Sequence, residues 1–375
     1  LLGTDFKETE VVDVFERLYL EPEVKEGTIH VTVPSFRRDL SIPEDLAEEV
    51  IRILGYDRLP ETLPKMDLTQ GKLDERQMLI RSLERALLSS GAHQTVTYTL
   101  EGYDEVTTSL SLGDPIKLLS PISDKRAYLR TALLPSMLKV AEYNVARRNE
   151  DFIFFEHSRI YAEEKRETRL AILGHGYHYP KTWHTQGQVF DFFVMKGLLL
   201  DTMERLGLSS ARFRFESVSD KEMNLMHPFR SAKIYFGRDM LGYIGDLHPK
   251  VAEAYSLEKP VYLEINLDPI IEAKKGKIKA RTLPKKHAIH RDIAILVSED
   301  IAADAIIRSI EKASKRSLLG LELFDVFTSE KLEGNRSLAF KLSFDGDQMK
   351  SSEEVAEIMK NIEKQLKQDH QAEIR

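Results

Sequence analysis

Apolar residues recur at two spacings along this chain, and the change from one spacing to the other divides it into segments. Residues 9–20 have apolar side chains at helical intervals, which predicts an amphipathic helix. Residues 31–35 alternate and then meet a proline, which predicts a short strand. Helical spacing returns in residues 41–54, through Leu46, Val50, Ile53 and Leu54.

The start and end of this second helix carry recognisable signals. Ser41 is followed three residues later by Glu44, so the two predict a capping box, with Pro43 in the first turn. Gly55 follows the last apolar position and can adopt the positive φ that ends a helix. We therefore expect a helix–strand–helix unit in residues 1–65.

Residues 66–275 predict the largest domain. A long helix spans Asp74–Ser90, and further helices are predicted at Leu134–Asn144, Phe192–Leu206 and Pro249–Ala254. Most of the predicted strands are not followed by a helix, which favours a mixed or antiparallel sheet with flanking helices over a doubly wound one. The predicted strands are Thr95–Leu100, Ile116–Leu119, Phe152–Phe155, Leu170–Leu173, Ala232–Phe236, Leu241–Ile244 and Val261–Ile265.

Residues 284–375 predict the order strand, helix, strand, strand, helix, strand, which is the split βαβ of a ferredoxin-like fold. In the run Ser337–Phe344, alternation places Phe340 and Phe344 on the face that covers the helices, and Lys341 on the open face. The predicted fold class is therefore α+β, with a winged-helix-like module, an antiparallel sheet domain and a ferredoxin-like domain.

Composition excludes several function classes. The 375 residues include no cysteine, which removes disulfides, thiolate metal sites and cysteine nucleophiles. No apolar run reaches the length of a membrane span, so we expect no membrane association of that kind. The net charge of −7 argues against a uniformly basic coat for nucleic acid. The sequence does not begin with an initiator methionine, and its first residues lack the layout of a signal peptide, so we expect a fragment of a longer chain.

Acidic residues gather around the start of the second helix, and they have two readings. Asp45, Glu48 and Glu49 are spaced so that their carboxylates can converge. In the first reading the cluster binds no ligand, and its negative charge in the first helical turn complements the helix dipole. The second reading is a site for a hard cation, because Mg²⁺ prefers carboxylate oxygens.

A basic run also has two readings. Residues 274–291 contain eight Lys or Arg and no acid. A solvated linker has this composition, and so does a strip that contacts phosphates. We place Lys285, Lys286 and Arg291 at one edge of the last sheet, with Lys341 on its open face, as candidate RNA-binding residues.

Other chemistry is weakly indicated. His175, His178 and His184 lie in a Gly/Tyr/Pro-rich stretch and are expected to be incidental residues of a loop, which also carries Trp183, the only tryptophan. We find no nucleophile elbow, P-loop or dinucleotide-binding motif. No glycine-rich, arginine-bearing segment that could grip ATP phosphates is found near residue 250, where Asp246 and His248 follow Gly242–Gly245.

The three segments together resemble the C-terminal part of the family of bacterial phenylalanyl-tRNA synthetase beta subunits. The first match runs from Arg37 to Pro60, and the last includes Arg291–Ala294 and Leu323–Val326. The middle match, a class II synthetase-like core, includes Leu129–Pro135, Phe155–Glu156, Lys196–Gly197, Arg230–Ala232 and Gly242–Pro249. Phe229 departs from the middle match, at a position where glycine is usual, and His287 departs from the last match, at a position where proline is usual.

The resemblance implies a role. It assigns Asp39, Asp45, Glu48 and Glu49 to Mg²⁺ shared with an alpha subunit, and it implies a cytoplasmic alpha–beta heterotetramer that uses ATP to join phenylalanine to tRNA-Phe. It also implies that residues 284–375 bind the anticodon region and that the fragment alone is not catalytic. The alternative is a stand-alone, non-enzymatic RNA-binding or scaffold protein built from the same modules.

Overall fold

The computed structural model describes residues 1–108, 110–218, 224–276, 285–314, 317–349 and 352–374. Two units are distinguished, Leu1–Met78 and Leu79–Arg375. The first contains α1 (Glu8–Arg17), the antiparallel hairpin β1 (Glu21–Lys25) and β2 (Thr28–Thr32), and α2 (Pro43–Leu54). Its core joins the two helices through Val14, Phe15 and Val50, together with Leu20.

The start of α2 lies one residue later than the sequence predicts. Ile42 is the N-cap residue and Pro43 the first helical residue. Asp45, rather than Glu44, reaches back, and its Oδ2 accepts the backbone N–H groups of Ser41 at 2.7 Å and Ile42 at 3.0 Å. The predicted Ser41–Glu44 capping box is therefore wrong in register. The Gly55 prediction is confirmed, since this residue follows the helix with φ 99°.

The second unit is built on a seven-stranded sheet with the order β10-β11-β12-β13-β7-β6-β3. Among the described residues, its neighbouring strands pair antiparallel except β3 and β6, which are parallel. This confirms the antiparallel sheet with flanking helices. Its elements are α3 (Glu75–Ser89), β3 (His93–Gln94), β4 (Leu100–Glu101), α4 (Tyr103–Val106), β5 (Tyr128–Leu129), α5 (Leu134–Val145), β6 (Phe152–Tyr161), β7 (Arg166–His175), β8 (Tyr177–Tyr179), β9 (Gln188–Val189), α6 (Phe192–Arg205), β10 (Phe213–Ser217), β11 (Met226–Phe236), β12 (Asp239–Leu247), α7 (Pro249–Ala254), β13 (Val261–Asn266) and α8 (Asp268–Glu272).

Each face of this sheet has its own core. One face packs against α3 and α6, where Leu83 and Leu199 meet Phe155 and Leu263. The opposite face carries Phe154, Ala171 and Leu173 and packs against α5 and the segment before it. Alternation along the strands therefore assigns each side chain to one of two apolar layers.

Two predicted strands are absent from the sheet. Thr95–Leu100 forms ladder pairs only at its last residue, in β4, and Ile116–Leu119 makes a single bridge, from Lys117 to Tyr128. Their backbone bonds are isolated ones, such as that from the Thr95 N–H to the Phe155 carbonyl at 2.8 Å. The residues have strand-like alternation, but each run bonds to its neighbour over only a few residues, so propensity alone did not decide the structure.

Residues 285–374 form the second sheet of this unit, with the order β15-β16-β14-β17. Its elements are β14 (Ile289–Ser298), α9 (Ala303–Ser314), β15 (Leu318–Thr328), β16 (Asn335–Phe344), α10 (Ser352–His370) and β17 (Glu373–Ile374). The ferredoxin-like prediction is confirmed, and Phe340 and Phe344 are fully buried as expected. Within the described ranges, no helix combines the length and the hydropathy that a bilayer-crossing segment needs.

Candidate functional sites

The acidic cluster of the first unit is organised around one arginine. Arg37 Nη2 lies 2.7 Å from Asp39 Oδ2 and 3.1 Å from Glu49 Oε1. Arg52 Nη2 approaches the other oxygen of Glu49 at 2.5 Å. Glu49 is 7% exposed, so a carboxylate that burial alone would disfavour is held ionised by two guanidinium groups.

The remaining two carboxylates point elsewhere. Asp45 is used by the backbone N–H groups at the start of α2, and Glu48 lies on the exposed side of that helix. The pKa of Asp45 is lowered chiefly by the bond from the Ser41 N–H, that of Asp39 by Arg37, and that of Glu49 by Arg52. Each of these three is thus stabilised as an anion by groups of its own chain.

This arrangement does not fit a magnesium ion as it stands. Among the residues that the structure describes, no three His, Asp or Glu side chains are grouped so that they could hold a metal. Oxygens of Asp39 and Glu49 are bonded to Arg37, and an oxygen of Asp45 is bonded to backbone N–H groups. Magnesium binding by Asp39, Asp45, Glu48 and Glu49 therefore stays a prediction.

The face of the large sheet opposite α3 and α6 carries two buried carboxylates in one row. Glu156 on β6 and Glu264 on β13 both pair across strands with Ala171 on β7. Arg130 Nη1 lies 2.8 Å from Glu156 Oε1, and both side chains are almost completely buried. Arg130 also donates to the Arg159 carbonyl, Thr97 and Ser158, so four of its five N–H donors have partners within the chain.

Glu264 is neutralised by a second arginine. Arg169 Nη1 donates to Glu264 Oε1 at 2.9 Å, and the Tyr262 hydroxyl donates to Oε2 at 2.5 Å. The backbone N–H of Leu133 adds a bond at 3.2 Å. Burial raises the pKa of Tyr262, which keeps its hydroxyl proton available for this bond. These networks fill the centre of the face with bonded charge.

The segment from Gly242 to His248, in which the sequence offers no cation for ATP phosphates, has an arginine on the neighbouring strand. Arg230, on the neighbouring strand β11, donates to Asp246 Oδ2 at 3.1 Å. Burial raises the pKa of Asp246, and Arg230 opposes that shift. The sequence could not place this contact, because it depends on the pairing of β11 with β12 and on a register shift between Met226 and Ser231. The Arg230 cation is thus balanced by a carboxylate of its own chain.

The candidate RNA-binding residues of the last sheet are brought to different places. Lys341 pairs across strands with Asp292 on one side and Glu322 on the other, so an acidic residue is its nearest neighbour on each adjacent strand. Arg291 pairs with Leu342, whose side chain is in the core layer, so alternation gives Arg291 and Lys341 opposite faces. β14 is a central strand of the sheet rather than an edge strand.

Lys285 and Lys286 lie where the described chain resumes. Their backbone N–H groups donate to the two carboxylate oxygens of Asp347, at 2.6 and 3.0 Å, and both side chains are exposed. Part of the basic run that the sequence singles out, residues 277–284, lies outside the described residues. The RNA role of Lys285, Lys286, Arg291 and Lys341 stays a prediction.

Sequence analysis left out an exposed aromatic residue on this sheet. Phe327 on β15 is 53% exposed and pairs with Ser337, which belongs to the open face. A register shift between Leu323 and Asp325 reverses the alternation of β15 beyond that point. Strict alternation from Leu323 would have put Phe327 in the core. The signal that could have found it is the excess of large apolar residues in this strand.

The histidine-rich stretch is a hairpin, β8 and β9, rather than a loop. His175 precedes it and is a packed residue whose Nδ1 lies 2.6 Å from the Glu150 carbonyl and whose Nε2 lies 3.0 Å from the Glu258 backbone nitrogen. Its ring stacks on Phe152. Both ring nitrogens of His175 are thus occupied, which leaves it without the open position that a metal would need.

Three sequence families match the chain. Residues 1–56 match the tRNA synthetase B5 domain, residues 59–267 the phenylalanyl tRNA synthetase beta chain CLM domain, and residues 284–375 the ferredoxin-fold anticodon binding domain.

Curated relatives match nearly the whole chain. A phenylalanine–tRNA ligase beta subunit of Geobacillus kaustophilus is 34% identical over 96% of this chain and 46% of its own length. That of Shouchella clausii is 33% identical over 92% of this chain and 43% of its own length. The chain therefore spans about half the length of these relatives. A pyrrolysyl-tRNA synthetase of Desulfitobacterium hafniense aligns over 72% of this chain and 90% of its own, with 15% identity and a TM-score of 0.41.

Proposed function

Because the chain belongs to the family of phenylalanyl-tRNA synthetase beta chains, we propose that it is the assembly and tRNA-binding part of a phenylalanine–tRNA ligase. In this proposal an alpha subunit completes an alpha–beta heterotetramer in the cytoplasm, and that subunit holds the site where ATP activates phenylalanine. The chain itself supplies a scaffold and an RNA-binding domain, and performs no bond-forming step.

One observation carries the non-catalytic part of the proposal. On the sheet face that bears Glu156 and Glu264, each carboxylate is bonded to an arginine of the same chain. A site for adenylate formation needs cations free to meet phosphate oxygens as charge develops. Arg130 and Arg169 are committed to buried acids, and releasing either would leave a buried charge unpaired, which is strongly unfavourable.

The RNA-binding part rests on the last domain. Residues 284–375 match an anticodon-binding family, and the open face of their sheet exposes Phe327. An aromatic ring on an exposed sheet can stack on an unpaired base. Cations for phosphate contact are proposed to come from Lys285, Lys286 and Arg291, with Lys341 reduced in effect by its two acidic neighbours.

The subunit-assembly part has a candidate in α3. By resemblance, the position of this helix matches the dimer-forming segment of class II synthetases, so we propose that it lies at a subunit interface with the alpha subunit. Leu83 and Leu87 are buried against the sheet of their own chain and Leu79 is also buried, while Arg85 and Leu88 are exposed. The exposed side therefore offers both charge and apolar surface to a partner. Hydrogen exchange of α3 amides in the presence and absence of the alpha subunit tests this contact.

The overall proposal is tested by ATP–pyrophosphate exchange and aminoacylation assays. The chain alone should show no phenylalanine-dependent exchange above a heat-treated control. The full beta subunit that contains this chain should support aminoacylation of tRNA-Phe when it is combined with the alpha subunit. Exchange by the chain alone would disprove the non-catalytic role. An inactive combined enzyme, in spite of correct assembly, would favour the stand-alone RNA-binding or scaffold alternative.

A further inference from the structure

The hairpin formed by β8 and β9 displays the only tryptophan of the chain at its tip. Trp183 is 95% exposed, and Tyr179 and Val189 on the two strands are 62% and 54% exposed. Large rings are normally at least partly covered, because their burial contributes a large part of the energy of cores and interfaces. A bare tryptophan on a hairpin that also exposes Tyr179 and Val189 therefore points to a surface that a partner covers.

The tip holds Trp183 in a built turn. The Thr182 N–H donates to the Thr185 carbonyl at 3.1 Å, and the Thr182 hydroxyl lies 3.1 Å from His184 Nδ1. The rings of Trp183 and His184 lie 4.8 Å apart. Gly187 has φ 76°, and a Cβ there would lie 2.8 Å from the Lys181 nitrogen. A backbone ordered in this way loses little conformational entropy when the tip is covered, which favours binding.

The charge of the hairpin indicates what kind of surface would cover it. From residue 176 to residue 190 the chain has no Asp or Glu, although 61 of its 375 residues are acidic. The same stretch contains Lys181, His178 and His184. A partner surface that bears carboxylates around an apolar pocket would complement it.

These features favour a protein over a nucleic acid. Lys181 is the single Lys or Arg of the stretch, whereas non-specific RNA affinity comes from several phosphate contacts. Two carboxylates stand at the base, because Asp151 accepts the Tyr177 N–H at 2.7 Å and Asp191 caps α6. A polyanion that runs along the hairpin would meet these two carboxylates at its base, whereas a pocket that covers only the tip would not. Exposed Trp and Tyr are the residues that most often carry the binding energy of protein interfaces.

We propose that the β8–β9 hairpin is a docking element whose Trp183 inserts into an apolar, carboxylate-bordered pocket on the alpha subunit. The inference rests on the proposed function, since it takes its partner from that proposal. It adds an anchor residue and the chemistry of the surface that receives it.

The single tryptophan supplies a direct test. The chain is produced with 5-hydroxytryptophan in place of Trp183, so that its fluorescence can be excited apart from that of tryptophan in other proteins. The labelled chain is then mixed with unlabelled alpha subunit. Acrylamide should quench the free chain efficiently and the complex several-fold less. Trp183→Ala should weaken assembly by on the order of 30-fold. Lys181→Glu should also weaken assembly, and its effect should be larger at low salt than at high salt. Phe229→Ala is the matched control, because that ring is 90% exposed elsewhere on the domain and should leave assembly unchanged.

Each other outcome contradicts the inference in a distinguishable way. Equal quenching in an assembled, active complex would remove the docking role and leave the proposed function intact. Shielding by tRNA-Phe alone, without the alpha subunit, would assign the hairpin to RNA instead. Failure of the unaltered chain to form any complex with the alpha subunit would overturn the proposed function, and this inference with it. Unchanged thermal unfolding of Trp183→Ala shows that any loss of assembly is not a loss of fold.

Discussion

Glu156 and Glu264 lie in one cross-strand row of the large sheet, on either side of Ala171, and each is neutralised by its own arginine. Two buried carboxylates so placed would destabilise the sheet if either lost its partner. The fold therefore fixes Arg130 and Arg169 as structural residues, each committed to a buried acid of its own chain.

Replacing Arg130 with Met should destabilise the chain by about 3–5 kcal/mol, because Glu156 would be left as an unpaired buried charge. Urea unfolding followed by circular dichroism measures the change. Arg214→Met is the control, since Arg214 pairs with Glu216 at the surface and its loss should cost less than about 1 kcal/mol. A loss of equal size in both variants would show that the buried pair is not special.

Two glycines of the same unit should respond to alanine in opposite directions. A Cβ at Gly242 on β12 would lie 1.9 Å from the backbone carbonyl oxygen of Glu264, so Gly242→Ala forces two strands apart. A Cβ at Gly197 in the middle of α6 meets nothing within 4 Å. Gly197→Ala should therefore stabilise the chain by roughly 0.5–1 kcal/mol, whereas Gly242→Ala should destabilise it by at least about 1–3 kcal/mol. Thermal melts of the two variants check the opposite signs.

Stability should depend on pH through Glu101. This residue is 2% exposed, its Oε1 accepts a bond from Ser136 at 2.5 Å, and its Oε2 has no partner. Burial raises the pKa of Glu101 to about 7, above the value of 4.5 expected when unfolded. The folded chain thus holds an extra proton between these values. The contribution of Glu101 to stability is therefore fully present below pH 4.5 and is lost as the pH rises to about 7.

The total loss over this interval should be on the order of 3 kcal/mol, at about 1.4 kcal/mol per pH unit. Glu101→Gln removes the titration, so the difference in unfolding free energy between the two proteins should change by that amount from pH 4.5 to pH 7. Neighbouring Glu105, Lys139 and Arg130 are present in both proteins. A difference that is flat with pH would show that Glu101 is already ionised.

The sequence was sufficient for elements whose pattern is local and repeated. The alternation of Ser337–Phe344 assigned Phe340 and Phe344 to the core correctly. Sequence patterns were not sufficient where strand pairing or register determines the position of a side chain. Phe327 is exposed because of a bulge in β15, and Lys341 is flanked by Asp292 and Glu322 because of strand order. The carboxylates of α2 are a further example. Arg37 belongs to a loop, and its ion pair with Glu49 cannot be predicted from the spacing of residues along the chain.

Magnesium binding by the first unit should be weak in the chain alone, because Arg37 must release Asp39 and Glu49 before their oxygens can coordinate a cation. Binding should be stronger with the alpha subunit, because a partner would complete the coordination geometry of the ion. Calorimetric titration with Mg²⁺ compares the two states. Asp39→Asn with Glu48→Gln changes two exposed members and spares the buried one. If the reconstituted enzyme with these two changes keeps an unaltered magnesium dependence of aminoacylation, the cluster serves only the ion pairs and the start of α2.

RNA binding by the last domain should divide its cations into two groups. Lys285 and Lys286 have exposed side chains, whereas the charge of Lys341 is offset by Asp292 and Glu322 across the strands. Each lysine that contacts a phosphate should lower the log–log salt slope of tRNA affinity by roughly 0.7–0.9 when it is changed to Ala. We expect this for Lys285 and Lys286 and a smaller change for Lys341. Phe327→Ala should weaken binding without altering the slope, because stacking releases no counterions.

Filter-binding measurements across a range of salt concentrations separate these effects, and phenylalanine activation by the holoenzyme should stay intact in every variant. Phe229→Ala again serves as the exposed-aromatic control. If the Lys285→Ala, Lys286→Ala double variant keeps both its affinity and its salt slope, residues 285–286 are only part of a solvated linker. The RNA surface of this domain would then have to be sought on the open face around Phe327.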